Sequence, residues 1–245
     1  MNDLTFCVTM TTIPSRIKNI DEVISNIRNQ TIKPNKIYLN IPHKYKRFPN
    51  EIIDEIDIEN LKNEDLEITR CQDFGPGTKI MGSVEKIKKY DCVIILDDDH
   101  IYDKHIIEIF LEAYRKEKIN YSFYLNKIFD IKMGQCADGF LINTHLLNGI
   151  EKFYDKYVKH NKNMFHDDDL WLAIYLQKEK KSKIKNLIST FFHKTNKKIV
   201  YKQNLNSEKN GLHLTIHKDG LLFNRRKIQK IEYLKYLFKN LIKSI

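Results

Sequence analysis

The spacing of apolar and polar positions divides the first hundred residues into alternating strands and helices. Four short, largely apolar segments are typical of buried strands: LTFCVTM (4–10), KIYLNIP (36–42), LEITRC (66–71) and CVIIL (92–96). Helices are predicted between them at 19–29, at 51–65 as a short surface helix, and at 82–90. This alternation indicates a mostly parallel sheet with helices on its faces, and such sheets bind ligands beyond the carboxyl ends of their strands.

The second half of the chain is predicted to contain shorter elements. The pattern favours helices at 104–118, 146–159 and 165–177, strands at 121–125 and 140–143, and a lysine- and asparagine-rich stretch at 178–211 that includes a mobile loop. The tail RRKIQKIEYLKYLFKNLIKSI has the pattern of a basic amphipathic helix. We therefore predict one α/β domain, residues 1–220, with 221–245 as a helical appendage and not a second domain.

The most apolar strand runs directly into three adjacent carboxylates, Asp97, Asp98 and Asp99. One interpretation is a solvated acidic turn or a helix N-cap. The other is a metal site, because alternate residues of an extended segment point the same way, so Asp97 and Asp99 can face one pocket while Asp98 faces another. Carboxylate oxygens suit Mg²⁺ or Mn²⁺, and such an ion completes its shell with waters and substrate phosphates. The run therefore predicts a divalent ion that binds a diphosphate.

A second acidic run, His166-Asp167-Asp168-Asp169, precedes the apolar segment LWLAIYL. Acidic residues at a helix N-terminus are favoured by the helix macrodipole, which is a sufficient structural reason for them. The functional hypothesis is that one of these carboxylates projects into a pocket as a general base. Both interpretations can hold, because the start of a helix would fix the position of the base.

The turn GPGTK is a further candidate, because Gly75 and Gly77 would let bare backbone approach a ligand, and Arg70 and Lys79 flank them. It lacks the GxxxxGK[ST] spacing of a P-loop, and an ordinary turn remains the alternative. His213 lies in GLHLTIHKDG. An isolated histidine is more often structural, but a role for His213 as an additional metal ligand stays open.

Composition and charge add constraints on partners and location. The net charge of +10 attracts anions such as nucleotides, nucleic acids or acidic membranes. The four cysteines lack zinc-like spacing, and Cys7 and Cys92 lie in strand-like runs, so we expect buried free thiols and a cytoplasmic location. We find neither a signal peptide nor an apolar run long enough to span a bilayer.

Taken together, several segments resemble the GT-A glycosyltransferases, nucleotide-sugar-dependent enzymes with a DxD metal motif. The resemblance covers residues 4–177 and rests on VTMTTIPSR, NIRNQTIKPNKIYLNI, GPGTKI, VIILDDDHIY and DDLWLAIYL, in the family's order. The region after about 178 shows no such match. The resemblance implies the GT-A fold, a Rossmann-like, mixed but mostly parallel sheet flanked by helices, here with a C-terminal helical tail.

The resemblance also implies roles for individual residues. The residues expected to border the nucleotide are Thr9, Thr11, Thr12, Arg16, Asp73, Lys79, Asp97 and Asp98. Asp97 and Asp99, with His213, would bind Mn²⁺ or Mg²⁺. Asp138 and Gly139 would lie beside the acceptor. Asp168 and Asp169 match the family's acidic pair, with Asp169 favoured as the base.

The implied function is metal-dependent transfer of a sugar from a nucleoside-diphosphate sugar, with UDP favoured, to a hydroxyl of a glycan, a lipid-linked or a protein acceptor, with inversion. A phosphatase or nucleotidyltransferase is an alternative, but the DxDx[TV] motif and the glycine-rich nucleotidyl loop are absent. A basic nucleic-acid-binding protein is another, yet the lysines at 178–202 show no aromatic interleaving, so we expect no nucleic-acid partner. The C-terminal helix is expected to allow peripheral membrane contact.

Overall fold

The computed structural model describes residues 4–59, 61, 63–203 and 222–241, with side chains of the last helix described from 225 onward. The strands are β1 (Phe6–Thr11), β2 (Lys36–Pro42), β3 (Leu66–Cys71), β4 (Cys92–Ile95), β5 (His100–Tyr102), β6 (Asn120–Ser122), β7 (Leu125–Ile128), β8 (Ile131–Gly134), β9 (Phe140–Asn143), β10 (Ile184–Asn186) and β11 (Tyr201–Gln203). The α-helices are α1 (Ile20–Arg28), α2 (Glu55–Glu59), α3 (Thr78–Met81), α4 (Val84–Ile87), α5 (Ile106–Lys116), α6 (Ile150–Phe153), α7 (Lys162–Phe165), α8 (Asp168–Ile174), α9 (Ile188–Thr195) and α10 (Leu222–Leu241).

Seven strands form the central sheet, in the order β10-β6-β9-β4-β1-β2-β3. β1 pairs in parallel with β2 and β4, and β2 pairs in parallel with β3. β9 is antiparallel to both β4 and β6, and β10 is parallel to β6. The sheet is thus mixed and largely parallel, as predicted. The carboxyl ends of β1 and β4 lie side by side, which brings the segments that follow them together.

Both faces of the sheet are covered, which explains the near-continuous apolar runs of its strands. On β1, Val8 packs into the core that includes α1 and α5, while Cys7 packs into the opposite core with α8 and Trp171. The four cysteines are free, and Cys7 and Cys92 are buried as predicted. Among the described residues, no helix is both long enough and apolar enough to cross a bilayer.

Several predicted boundaries are wrong. The helix expected at 82–90 is only the short α4 (Val84–Ile87), and a further short helix, α3, precedes it directly after the glycine turn. The helix expected at 146–159 is interrupted at Gly149, whose φ of 90° is left-handed, before α6 continues into a π-helical turn over Tyr154–Val158. The strand expected at 121–125 ends at Ser122, and the hairpin of β7 and β8 follows.

The stretch 178–211 contains more regular structure than its composition suggests, because β10, α9 and β11 lie within it. β11 pairs antiparallel with β5, the short strand that follows the first aspartate run. α10 confirms the predicted C-terminal helix and buries the side chains of Gln229, Glu232, Tyr233 and Tyr236.

Candidate metal and catalytic site

The first aspartate run, residues 97–99, forms the loop between β4 and β5 at the carboxyl edge of the sheet. The backbone N–H of Asp97 donates to the hydroxyl of Tyr102 at 2.8 Å, and that hydroxyl donates to the carbonyl of Ala137 at 3.0 Å. Tyr102 is fully within the core at 3% exposure. The start of the run is therefore fixed to two other parts of the fold.

Arg16, from the TTIPSR segment after β1, supplies the first positive charge. Its Nη1 lies 2.6 Å from Asp98 Oδ1 and its Nη2 lies 2.9 Å from Asp99 Oδ2. The Thr12 hydroxyl donates to the other oxygen of Asp98 at 2.7 Å. Asp98 is thus held by buried partners of the protein itself, which explains why it can be buried.

Lys79 supplies the second positive charge and joins the two aspartate runs. Its Nζ lies 2.5 Å from Asp97 Oδ1 and 3.3 Å from Asp168 Oδ2. The carbonyl of Lys79 accepts hydrogen bonds from the side chains of Thr9 and Asn40, which fixes its backbone against the sheet. Burial disfavours the ammonium, but the charges of Asp168 and Asp97 raise the pKa of Lys79 well above its ordinary value.

The second aspartate run opens α8. Asp167 is the N-cap and accepts from the N–H of Leu170 at 3.2 Å. Two side chains of α10 also bind the Asp167 carboxylate: Gln229 donates at 2.7 Å and Arg225 donates at 3.2 and 3.3 Å. Asp169 accepts from the N–H of Cys136 at 3.0 Å. The C-terminal helix is therefore in direct contact with the residues that position Asp168 and Asp169.

Within the two runs, the shift in pKa differs from one carboxylate to the next. Burial raises the pKa values of Asp98 and Asp99. Burial opposes ionisation of Asp97, yet the charge of Lys79 outweighs this and lowers the pKa of Asp97. Burial and the charges of Asp168 and Asp167 raise the pKa of Asp169 to about 7. Burial and the charge of Asp97 likewise raise the pKa of Asp138 to about 7.

The side chains after β4 fit a divalent ion. Candidate ligand atoms of Asp97, Asp99 and His100 all lie within 4.8 Å of one another. Mg²⁺ ligand bonds are about 2.0–2.1 Å, so one ion can bridge such atoms after small side-chain rotations. A second group, Cys136, Asp168 and Asp169, is equally close. It suits Mg²⁺ or Mn²⁺ less well, because one of its three groups is a thiol and burial raises the pKa of the Cys136 thiol well above its ordinary value.

The glycine turn has a structural role that the sequence interpretation missed. Gly75 has a φ of +64°, and a Cβ there would come within 2.4 Å of the Phe165 carbonyl oxygen. A Cβ on Gly77 would lie 2.6 Å from the Trp171 ring. The bare backbone thus packs against α8 and the residues before it. This contact sets the distance between Lys79, two residues on, and Asp168.

The remaining predicted residues are held in different ways. The Thr11 hydroxyl donates to the carbonyl of Asn40, and Asp73 accepts from the backbone N–H groups of Lys46 and Gly75, so both side chains bind backbone. Arg70 pairs with Glu55 and not with the aspartates. Their nucleotide contacts remain predictions, as do the acceptor roles of Asp138 and Gly139.

Asp138 is buried at 6% exposure, and its Oδ2 has no hydrogen-bond partner within the described part of the chain. Gly139 is also buried, with a φ of 92°, and a Cβ there would lie 3.0 Å from Phe110. The left-handed backbone conformation is therefore a structural reason for a glycine at position 139. His213, predicted as an additional metal ligand, lies outside the described residues.

Sequence reasoning missed three residues of the site. His100 stands in the DDDH sequence itself, and its position next to Asp99 was the available signal. Arg225 and Gln229 belong to a tail that composition alone describes as basic and amphipathic. Nothing in the sequence indicates that this tail returns to the second aspartate run.

No protein-family profile matches the sequence, and a search of curated proteins gives no match. Solved structures do show a similar fold. S. aureus TarS is 10% identical and matches 84% of this chain and 37% of its own, with a TM-score of 0.51. Its 1–349 fragment is 13% identical and matches 78% of this chain and 63% of its own, with a TM-score of 0.50. This similarity confirms the predicted GT-A-like α/β fold.

The same TarS fragment has been solved with UDP-GlcNAc and with UDP. A mannosyltransferase, PcManGT from Pyrobaculum calidifontis in complex with GDP-Man and Mn²⁺, is 12% identical over 59% of this chain and 46% of its own, with a TM-score of 0.45. This chain spans less than two thirds of each of these structures. At such identities the similarity establishes the fold alone.

Proposed function

We propose that this protein is a metal-dependent glycosyltransferase that moves a sugar from a nucleoside-diphosphate sugar to an acceptor hydroxyl with inversion. The observation that carries the proposal is the position of Lys79 between Asp97 and Asp168. Lys79 joins Asp97, a candidate ion ligand, to Asp168, which is next to the candidate base Asp169 in the sequence. This supports a reaction in which a diphosphate leaves and a hydroxyl attacks within one site.

The first half of the reaction concerns the leaving group. Asp97 and Asp99 would hold the ion, whose charge would stabilise the departing diphosphate. Arg16 and Lys79 add two positive charges, held by their ion pairs, to the same region. Burial there strengthens their effect on developing negative charge. Thr12 donates to Asp98, the partner of Arg16, and Asn40 donates to the carbonyl of Lys79, so both hydrogen bonds would help to keep these charges in place.

The second half concerns the incoming hydroxyl. Asp169 is the favoured base, because a pKa of about 7 lets it be ionised near neutral pH and still accept a proton effectively. The N–H of Cys136 donates to Asp169 Oδ1 at 3.0 Å, and the guanidinium of Arg225 lies 3.7 Å from Oδ2. A base that faces the sugar from the side opposite the diphosphate implies inversion at the anomeric carbon.

The donor is proposed to be a UDP-sugar. The support is that TarS, whose fold this chain shares, has been solved with UDP-GlcNAc and UDP. A glycan, a lipid-linked acceptor or a protein would provide the hydroxyl. The shared fold does not by itself discriminate glycosyl transfer from nucleotidyl or phosphoryl transfer, so the decisive argument is the paired acidic site.

A thermal-shift screen with UDP-, GDP- and dTDP-sugars, each with and without Mn²⁺, tests the proposal. A ligand that binds the native state raises its melting temperature by mass action, so a donor should stabilise the protein only when Mn²⁺ is present. Asp99→Asn should abolish this shift. Asp155→Asn is a matched control, because Asp155 is an exposed acid paired only with Lys159. If every donor leaves the melting temperature unchanged, the proposal is wrong.

The C-terminal helix is proposed to contact an anionic membrane from the cytoplasmic side. Opposite its buried face, Ile231, Leu234, Phe238 and Leu241 are exposed, between 40% and 64%. Lys227 and Lys230 lie on the same side, as expected for a helix that inserts apolar residues beneath anionic headgroups. Co-sedimentation with phosphatidylglycerol vesicles should be lost in Phe238→Glu and in neutral vesicles. Equal binding to both vesicle types would contradict the proposal.

A further inference from the structure

His100 is a buried polar side chain, and one of its ring nitrogens has no hydrogen-bond partner among the residues that the structure describes. It is 5% exposed, and in the described part of the chain its Nδ1 makes no hydrogen bond. The nearest anionic atom is Asp99 Oδ1, at 3.6 Å, which is too long for a hydrogen bond. A buried polar atom without a partner is destabilising, so such an atom calls for an explanation.

The orientation of the His100 ring is fixed by packing. The ring stacks on Tyr201 with centroids 3.7 Å apart and 35° between the planes, and Tyr102 packs edge-on against it at 5.9 Å. The antiparallel pairing of β5 with β11 places these rings together, since Tyr201 is opposite Tyr102 and Gln203 is opposite His100. With its face covered by Tyr201, the imidazole holds Nδ1 3.6 Å from Asp99 Oδ1, and a ring nitrogen lies within 4.8 Å of carboxylate oxygens of both Asp97 and Asp99.

We propose that His100 Nδ1 is a third protein ligand of the ion bound by Asp97 and Asp99, and that it makes the site selective for Mn²⁺ over Mg²⁺. This inference rests on the metal dependence of the proposed function. Mg²⁺ strongly prefers oxygen ligands, whereas imidazole nitrogen is a good ligand for transition metals. Two carboxylates alone would bind either ion, and the nitrogen supplies the discrimination.

The alternative is that His100 is only a packing residue for Tyr201. A phenylalanine at position 100 could fill the packing role but not the ligand role. His100→Phe keeps an aromatic ring against Tyr201 and removes only the nitrogen. A packing role predicts unchanged metal binding in this variant, and a ligand role predicts weakened Mn²⁺ binding in a folded protein.

The test uses the full chain loaded with Mn²⁺ and requires no enzymatic activity. Pulsed EPR detects nitrogen coordinated to Mn²⁺ through its nuclear modulation. We expect this modulation in the unmodified protein and in His160→Asn, a control at an exposed histidine, and we expect its loss in His100→Phe. Titration monitored by the EPR signal of free Mn²⁺, with Mg²⁺ as competitor, should show the Mn²⁺ to Mg²⁺ affinity ratio falling by about tenfold or more, comparable to losses seen at supporting residues of metal sites.

Retention of the modulation and of the affinity ratio in His100→Phe would overturn the inference and leave the proposed function intact. Nitrogen modulation absent from the unmodified protein would do the same, and this measurement does not depend on how well a variant folds. Failure of the unmodified protein to bind Mn²⁺ would overturn both the inference and the metal dependence of the proposed reaction, so the two failures are distinguishable.

Discussion

The chain carries two runs of three aspartates, and their surroundings give them different chemistry. The first, at 97–99, follows a buried strand, and the second, at 167–169, opens a helix. Arg16 and Lys79 surround the first run, whereas the second has Lys79 on one side and the C-terminal helix on the other. Chemically identical side chains thus differ in proton affinity: the pKa of Asp97 is lowered, whereas burial raises the pKa values of Asp99 and Asp169.

The contrast is sharpest between Asp97 and Asp169. The charge of Lys79 keeps Asp97 ionised, which suits an ion ligand, while burial beside two other carboxylates raises the pKa of Asp169 to about 7, which suits a proton acceptor. The comparison teaches that a count of acidic residues does not predict their function. The role of each carboxylate depends on its burial and on which charged side chains the fold brings next to it.

Replacing the base should have the largest effect on the reaction. Asp169→Asn keeps the size of the side chain and removes its ability to accept a proton, so we expect kcat to fall about 10²- to 10⁴-fold with donor binding retained. Steady-state and donor-binding measurements on the same preparation check this. If Asp169→Asn transfers sugar at the normal rate, the base is another residue and the contrast between the two runs is lost.

Removing the shared cation should damage both runs at once. Lys79→Met retains the length of the chain but leaves Asp97 and Asp168 without their buried partner, and we expect a loss of about 3–5 kcal/mol in the free energy of unfolding. Lys159→Met is the control, because Lys159 makes an exposed pair. Urea unfolding that gives equal stabilities for the two variants would show that Lys79 does not bridge the runs.

The raised pKa of Asp169 predicts a pH dependence of transfer. Below about pH 7 the carboxyl is protonated, so the rate should rise about tenfold per pH unit and level off above 7. For stability the sign is opposite: the folded state holds the proton more tightly than the unfolded state, so this group lowers stability as the pH rises from 3.8 to about 7. Unfolding at a series of pH values should show that Asp169→Asn lacks this component.

The contribution of the C-terminal helix to the second run should be smaller. Gln229 is buried and donates to Asp167, so Gln229→Ala should cost about 1 kcal/mol of stability. Arg225 is half-exposed, and its substitution by Met should lower stability by less than about 1 kcal/mol. Arg226→Met is the control, since Arg226 is exposed and adjacent. Chemical unfolding that ranks Arg226→Met with Gln229→Ala would contradict this role of the helix.

Much of the fold was predictable because the apolar positions of the parallel strands, most of them buried, leave strong local signals. The bounds of β2 and β3 match the predicted segments 36–42 and 66–71. β5 and β11 were missed because three-residue strands are stabilised by their pairing with each other and carry no periodicity of their own. Tertiary contacts, and not propensity, decide such elements.

The candidate site was predictable only in part. The sequence pattern could bring four residues together, because each follows the carboxyl end of a parallel strand of one sheet: Arg16 after β1, Lys79 after β3, and Asp97 and Asp99 after β4. The bond from Arg225 to Asp167 joins residues 58 positions apart through packing of the last helix, and no local pattern encodes it. For the glycine turn the sequence left two interpretations open, because close approach of a ligand and packing against the Trp171 ring both require a residue without a side chain.

The central claim is that the first aspartate run binds an ion and the second accepts a proton. Isothermal titration of UDP in the presence of Mn²⁺ tests it most directly, in the unmodified protein, in Asp99→Asn and in Asp169→Asn. The account predicts that Asp99→Asn loses Mn²⁺-dependent binding of UDP and that Asp169→Asn binds UDP as tightly as the unmodified protein. Normal binding by Asp99→Asn, or loss of binding in Asp169→Asn, would contradict it.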